Sequence, residues 1–125
     1  MAFDIYTQGG TSYIADMLGN VNPSAHKLEN RRIAIYLDDF YFINEKVQLS
    51  EMFPLLKQIF NEYYGYESTG KIYGDQLSKL ESELRDFKNI LQTDAPETVK
   101  NLITEYLQLI EFATKNTLSI VYAGD

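Results

Sequence analysis

Leu77, Leu80, Leu84, Phe87 and Leu91 recur at spacings of three and four. Val99, Leu102, Ile103, Tyr106, Ile110 and Ala113 repeat the pattern a few residues later. Such spacing lays apolar side chains along one face of a helix, and each of these faces must be buried against something. Two long amphipathic helices joined by a short Pro-containing link therefore dominate what the chain can become. Glu81 and Arg85 stand at i, i+4 on the wet side of the first helix, a favourable order. In the link "TDAPE", Asp94 reads as an N-cap and Glu97 as the N3 residue of a capping-box variant.

The flanks follow a different period. "AFDIYT" alternates, with Phe3 and Ile5 on one side and Asp4 and Tyr6 on the other, which is a half-buried strand pattern. "TLSIVYA" alternates too, with Leu118, Ile120 and Tyr122 on one side. Between them, "TSYIADMLG" reads as a short helix ending at Gly19, and Asn22-Pro23 as a turn or helix start. Residues 24–43 fit both a strand and a helical stripe, and their β-branched and aromatic content favours extended structure. "FYFINEKVQL" reads as a hairpin turning near Asn44 to Lys46. "SEMFPLLKQIFNEYYG" reads as a helix capped by Ser50, with Pro54 in its first turn and a stripe of Met52, Leu55, Leu56, Ile59, Phe60 and Tyr63. "GYESTG" is a short linker. The 125 residues suit one domain, residues 1–125. The expected fold class is α+β: a small, largely antiparallel sheet that includes strands near both ends, packed with three or four helices.

Composition excludes several chemistries. Without cysteine there is no disulfide, thiolate nucleophile or Cys-ligated metal. Eighteen acidic and eleven basic residues give a net charge of −7, which disfavours nucleic acid and anionic lipid and favours a basic protein partner. Simple solubility is the bland account of the same charge. The N-terminus has no basic segment leading into an apolar run, and no stretch approaches the roughly 20 apolar residues that span a bilayer. The expectation is a cytoplasmic protein without a membrane partner.

Asp38 and Asp39 form an adjacent pair inside "YLDDFYF". Neighbours on a strand point to opposite faces, and on a helix they diverge by about 100°. Adjacency therefore argues against a catalytic dyad or a shared metal, and leaves a solvated strand end or an interface rim. His26 is the single histidine and has no partner motif for zinc or for a catalytic triad. "QGGTS" and Gly70-Lys71 lack the phosphate-loop spacing. No catalytic residue, cofactor or metal site is expected. Tyr63, Tyr64, Tyr66 and Tyr73 cluster with Glu62, Glu67 and Asp75 interleaved. Tyrosine with acid is suited to gripping a basic protein, although several of these rings could equally close the edge of the core. The candidate partner-binding residues are Asp38, Asp39, Glu62, Tyr64, Tyr66, Glu67 and Tyr73.

The stretch "MFPLLKQIFNEYYGYESTGKIYGDQLSKLESELRDFKNILQTDAPETV" resembles bacterial immunity proteins of polymorphic-toxin and contact-dependent growth inhibition systems. The resembling features are the apolar "FPLL" helix, the "GKI" turn, the helix "DQLSKLESEL" and the link "DAPETV", over Met52 to Val99, under half of the chain. The resemblance implies a cytoplasmic non-enzyme that binds the effector domain of a cognate toxin and blocks it stoichiometrically. It carries over no catalytic residues. Many such toxins are basic nucleases, so charge points to a nuclease target while another toxin activity stays open. A small acidic regulatory or adaptor protein is the first alternative. A small enzyme or ligand-binding domain using Asp38, Asp39, His26 and tyrosines is the second.

Overall fold

The computed structural model describes residues 2–8, 31–64, 69–91 and 95–124. The elements are β1 (Ala2–Gln8), β2 (Arg32–Tyr36), α1 (Leu37–Gln48), α2 (Pro54–Glu62), β3 (Thr69–Ile72), α3 (Asp75–Ile90), α4 (Glu97–Lys115) and β4 (Ser119–Gly124). The strands form one sheet in the order β2-β1-β4-β3, with every pairing antiparallel. This is the α+β architecture that the two periodicities foretell, and the strands near the two ends are direct neighbours at the sheet centre.

One face of the sheet supplies the floor of the core. Phe3, Ile5, Ile35, Ile72, Ile120 and Tyr122 are buried there, and register places Ile35 opposite Phe3, Tyr122 opposite Ile5 and Ile72 opposite Ile120. Thr7 shares this face and is fully buried. Its polar groups are satisfied, since its Oγ1 accepts from the Arg31 N–H and its own N–H donates to the Arg31 carbonyl, both at 2.9 Å.

The helices close the core from the same side. In α3, Leu77, Leu80, Leu84 and Phe87 are buried as the spacing predicts, and so are Val99, Leu102, Ile103, Tyr106, Ile110 and Ala113 in α4. Fully burying each such aliphatic side chain is worth about 1.5–3 kcal/mol, so these two stripes hold α3 and α4 in place. An aromatic cluster joins α1, α2 and the sheet: Phe40 packs against Phe3 at 4.7 Å, Phe60 at 5.3 Å and Tyr64 at 5.5 Å. Phe53 meets Phe87 edge-on at 5.5 Å and pins the start of α2 to α3.

Several local expectations are corrected. The ambiguous 24–43 stretch is extended only over Arg32–Tyr36 among its described residues. The hairpin expected at Asn44 to Lys46 is the interior of α1. Phe40, Ile43 and Val47 form a helical stripe there, and Asp38 and Asp39 lie in the first turn, where carboxylates favour the positive end of the helix. Ser50 does not cap α2; its Oγ accepts from the Met52 N–H at 3.1 Å within the α1–α2 link. The helix cannot start earlier because Pro54 pushes Phe53 out of the helical region, to φ −125° and ψ 60°. Met52 therefore falls outside the stripe and is exposed. The same rule displaces the capping box. Pro96 is the N-cap of α4 and Glu97 its first residue, since a helix begun at Asp94 would force Ala95, the residue before proline, into helical geometry. The "GKI" turn, with the end of the "GYESTG" linker, is strand β3. The helix expected over 11–19, His26 and Asp94 lie outside the described residues.

Candidate functional site

The described members of the predicted binding set do not assemble into one site. Tyr36 closes β2 opposite Ala2, whereas Ile72 closes β3 opposite Ile120, which pairs with Thr7. Asp38 and Asp39 follow the first corner and Tyr73 follows the second. The two corners are three strand spacings and five residues apart, roughly 20 Å on the diagonal. Tyr66 and Glu67 lie outside the described residues. Glu62 is exposed at the end of α2, where it accepts from Gln58 Nε2 at 3.3 Å.

Tyr64 is a correction. It is 3% exposed and belongs to the core. Helix α2 ends at Glu62, and the turn that follows swings Tyr64 beneath the sheet against Phe3, Phe60 and Tyr122. It has no surface to offer a partner. Its phenol instead lies near those of Tyr106 and Tyr122, which hydrogen-bond to each other. The Tyr64 hydroxyl has no hydrogen-bond partner of acceptable geometry among the described residues. Burial pushes the phenol of all three well above its ordinary range, and electrostatic repulsion from a neighbouring phenol is the next contribution in each.

Helix α1 presents the acid–tyrosine combination that the sequence places elsewhere. Asp38, Tyr41 and Glu45 are exposed at i, i+3 and i+7, so they share one face, and Leu49 continues the line at the C-cap. Tyr41 is 60% exposed and Tyr36, the N-cap residue, is 65% exposed. Asp39 turns away from this line. It accepts a 2.9 Å hydrogen bond from the Thr98 hydroxyl and so ties the start of α1 to the start of α4. The outer face of α1 thus carries two carboxylates without an ion pair among the described residues, the Tyr41 ring and an apolar tip, and exposed Tyr36 stands at its N-cap. Tyr41 and Glu45 escaped the sequence reading because a hairpin would have scattered them. Their i+3 and i+7 relation to Asp38 is the signal that reveals them.

The second corner holds a groove of about 740 Å³ between β3, the start of α3 and the end of α4. Buried Leu77, Ala113 and Leu118 form its floor, and exposed Lys71 and Tyr73 stand at its rim. Thr114, Thr117 and Ser119 add hydroxyls. Its size falls in the range of small-molecule pockets. Among the described residues no group of three or more His, Cys, Asp or Glu side chains is placed to hold a metal ion. No described helix is long and apolar enough to cross a membrane. Comparison with known proteins finds no matching family, no similar curated protein and no similar solved structure.

Proposed function

We propose that this protein is an immunity protein, a stoichiometric inhibitor that docks the exposed face of α1 onto a basic toxin effector domain. The observation that supports this reading best is the run Asp38, Tyr41, Glu45 along one helix face, with Tyr36 exposed at the N-cap. Tyr36 and Tyr41 supply rigid contact area at small entropic cost, and the two carboxylates supply charge complementary to lysine and arginine. A net charge of −7 speeds encounter with a cationic domain and keeps the approach dependent on salt. The protein transforms nothing in this scheme. It works in the cytoplasm by occupying the toxin.

Co-purification with the cognate toxin domain tests the reading. Wild-type protein should form a stable one-to-one complex. Tyr41→Ala combined with Glu45→Lys should weaken it at least about 100-fold, because a central aromatic and a complementary charge are lost together. The single Glu45→Lys change should also reduce the salt dependence of association. Unchanged affinity in the double variant, with helicity preserved by circular dichroism, would overturn the assignment of this face.

A further inference from the structure

We propose that the groove between β3, α3 and α4 binds a small amphipathic organic acid: an apolar, preferably aromatic body carrying one carboxylate. Both residues with positive φ among the described ones line this groove, Gly74 at +61° and Thr117 at +56°. Gly74 is unremarkable there, since glycine tolerates the left-handed region. Thr117 is not.

Helix α4 ends in a Schellman arrangement. The Leu118 N–H bonds the Ala113 carbonyl at 2.8 Å, and the Thr117 N–H bonds the Thr114 carbonyl at 3.4 Å. Leu118 and Ala113 supply the buried apolar contact that accompanies this motif. Its left-handed position is normally glycine, and a β-branched residue there is a true outlier. The fold would gain from glycine at 117, so the threonine side chain has a use that glycine cannot serve. That side chain lines the groove.

The remaining lining specifies the ligand. Leu77 and Leu118 provide an apolar floor, and the Tyr73 ring, 62% exposed, stands ready to cover an aromatic body. Lys71 supplies the positive charge. It is exposed on edge strand β3 and forms no ion pair among the described residues. Lys71, Thr117 and Ser119 line the same groove and together suit a single carboxylate, and the start of α3 at Gly74 adds further positive potential.

Titration of the 15N-labelled protein with 3-phenylpropionate, followed by amide chemical shifts, tests this. The expected result is saturable shifts confined to Lys71, Gly74, Thr117, Leu118 and their neighbours. The uncharged analogue 3-phenylpropanol should bind about tenfold more weakly, as should 3-phenylpropionate to the Lys71→Gln variant. Thr117→Gly should raise the urea midpoint yet weaken 3-phenylpropionate binding. The proposal fails if no saturable shifts appear, if they centre outside the groove, or if acid and alcohol bind alike. It also fails if Thr117→Gly binds as the wild type does.

Discussion

Replacing Glu83 with alanine should destabilise the protein by about 3 kcal/mol, although this residue touches no candidate site. Glu83 sits in α3, 6% exposed, and both carboxylate oxygens are occupied. Oε2 accepts from the Leu55 N–H at 3.1 Å and Oε1 from the Leu56 N–H at 2.9 Å. With Phe53 as the N-cap of α2, these are the N2 and N3 donors, the pair that a capping Ser or Asp would satisfy locally. Phe53 has no acceptor, so a side chain from a different helix performs the capping. Loss of an ordinary N-cap costs about 0.5–2 kcal/mol. Here both donors are buried and the acceptor is charged, which places the cost at about 2–4 kcal/mol. Glu83→Gln keeps one acceptor but aims an amide N–H₂ at a second donor, so it should cost about half as much. Urea unfolding at pH 7 measures both. With a slope of about 1.5–2 kcal/mol/M, the alanine variant should lose about 1.5–2 M from its midpoint at unchanged slope. Arg85→Ala is the control: it breaks the exposed 2.7 Å pair with Glu81 one residue-pair away and should cost under about 0.5 kcal/mol. A Glu83→Ala midpoint indistinguishable from that of Arg85→Ala would refute the capping argument.

Two more predictions concern the buried tyrosines. Tyr106→Phe should cost about 1–3 kcal/mol because it leaves the Tyr122 hydroxyl unpaired, whereas Tyr64→Phe removes a buried unsatisfied hydroxyl and should be neutral or stabilising; denaturant melts distinguish the two. The phenols of Tyr64, Tyr106 and Tyr122 are all raised on folding, so the folded state prefers them protonated. The stability this provides is complete below the ordinary phenol range near pH 10 and is lost as pH climbs above it. Absorbance at 295 nm should show Tyr64, Tyr106 and Tyr122 ionising only together with loss of helical circular dichroism. Ionisation of these three phenols in a still-folded protein would contradict the burial.

The sequence disclosed what its periodicities controlled. The spacings in α3 and α4 are long, regular and uninterrupted, so both helices were legible nearly to the residue. The alternation of β1 and β4 was equally plain. The junction at Tyr36 and Leu37 was not, because a strand passes into a helix there without a glycine, proline or polar break. Aromatic residues argued for extension, but Phe40 belongs to α1 because Phe3, Phe60 and Tyr64 surround it, a tertiary reason that local propensity does not carry. Strand β3 was hidden by its own glycine. Gly70 reads as a turn, yet the Tyr63 ring lies so close over it that an added Cβ would come within 2.2 Å of ring carbons. Glu83 left a readable trace: it lies three residues after Leu80 and four before Phe87, an acid on an apolar stripe. At the proposed binding surface, Asp38 was singled out and its companions were not, because exposure along α1 can be read only once α1 is known to be a helix.

The pairing of β1 with β4 also governs when the molecule can exist. During synthesis β1 emerges first, and its central neighbour follows more than 100 residues later. At translation rates of about 5–20 residues per second, that interval lasts roughly 5–20 s. β3 must wait as well, since in the sheet it is flanked by β4 alone. Until β4 arrives, the nascent chain holds at most the β1–β2 ribbon and loosely gathered helices, and the floor beneath Tyr106 is missing. Completion of the sheet is thus a late, single event whose loops span most of the chain.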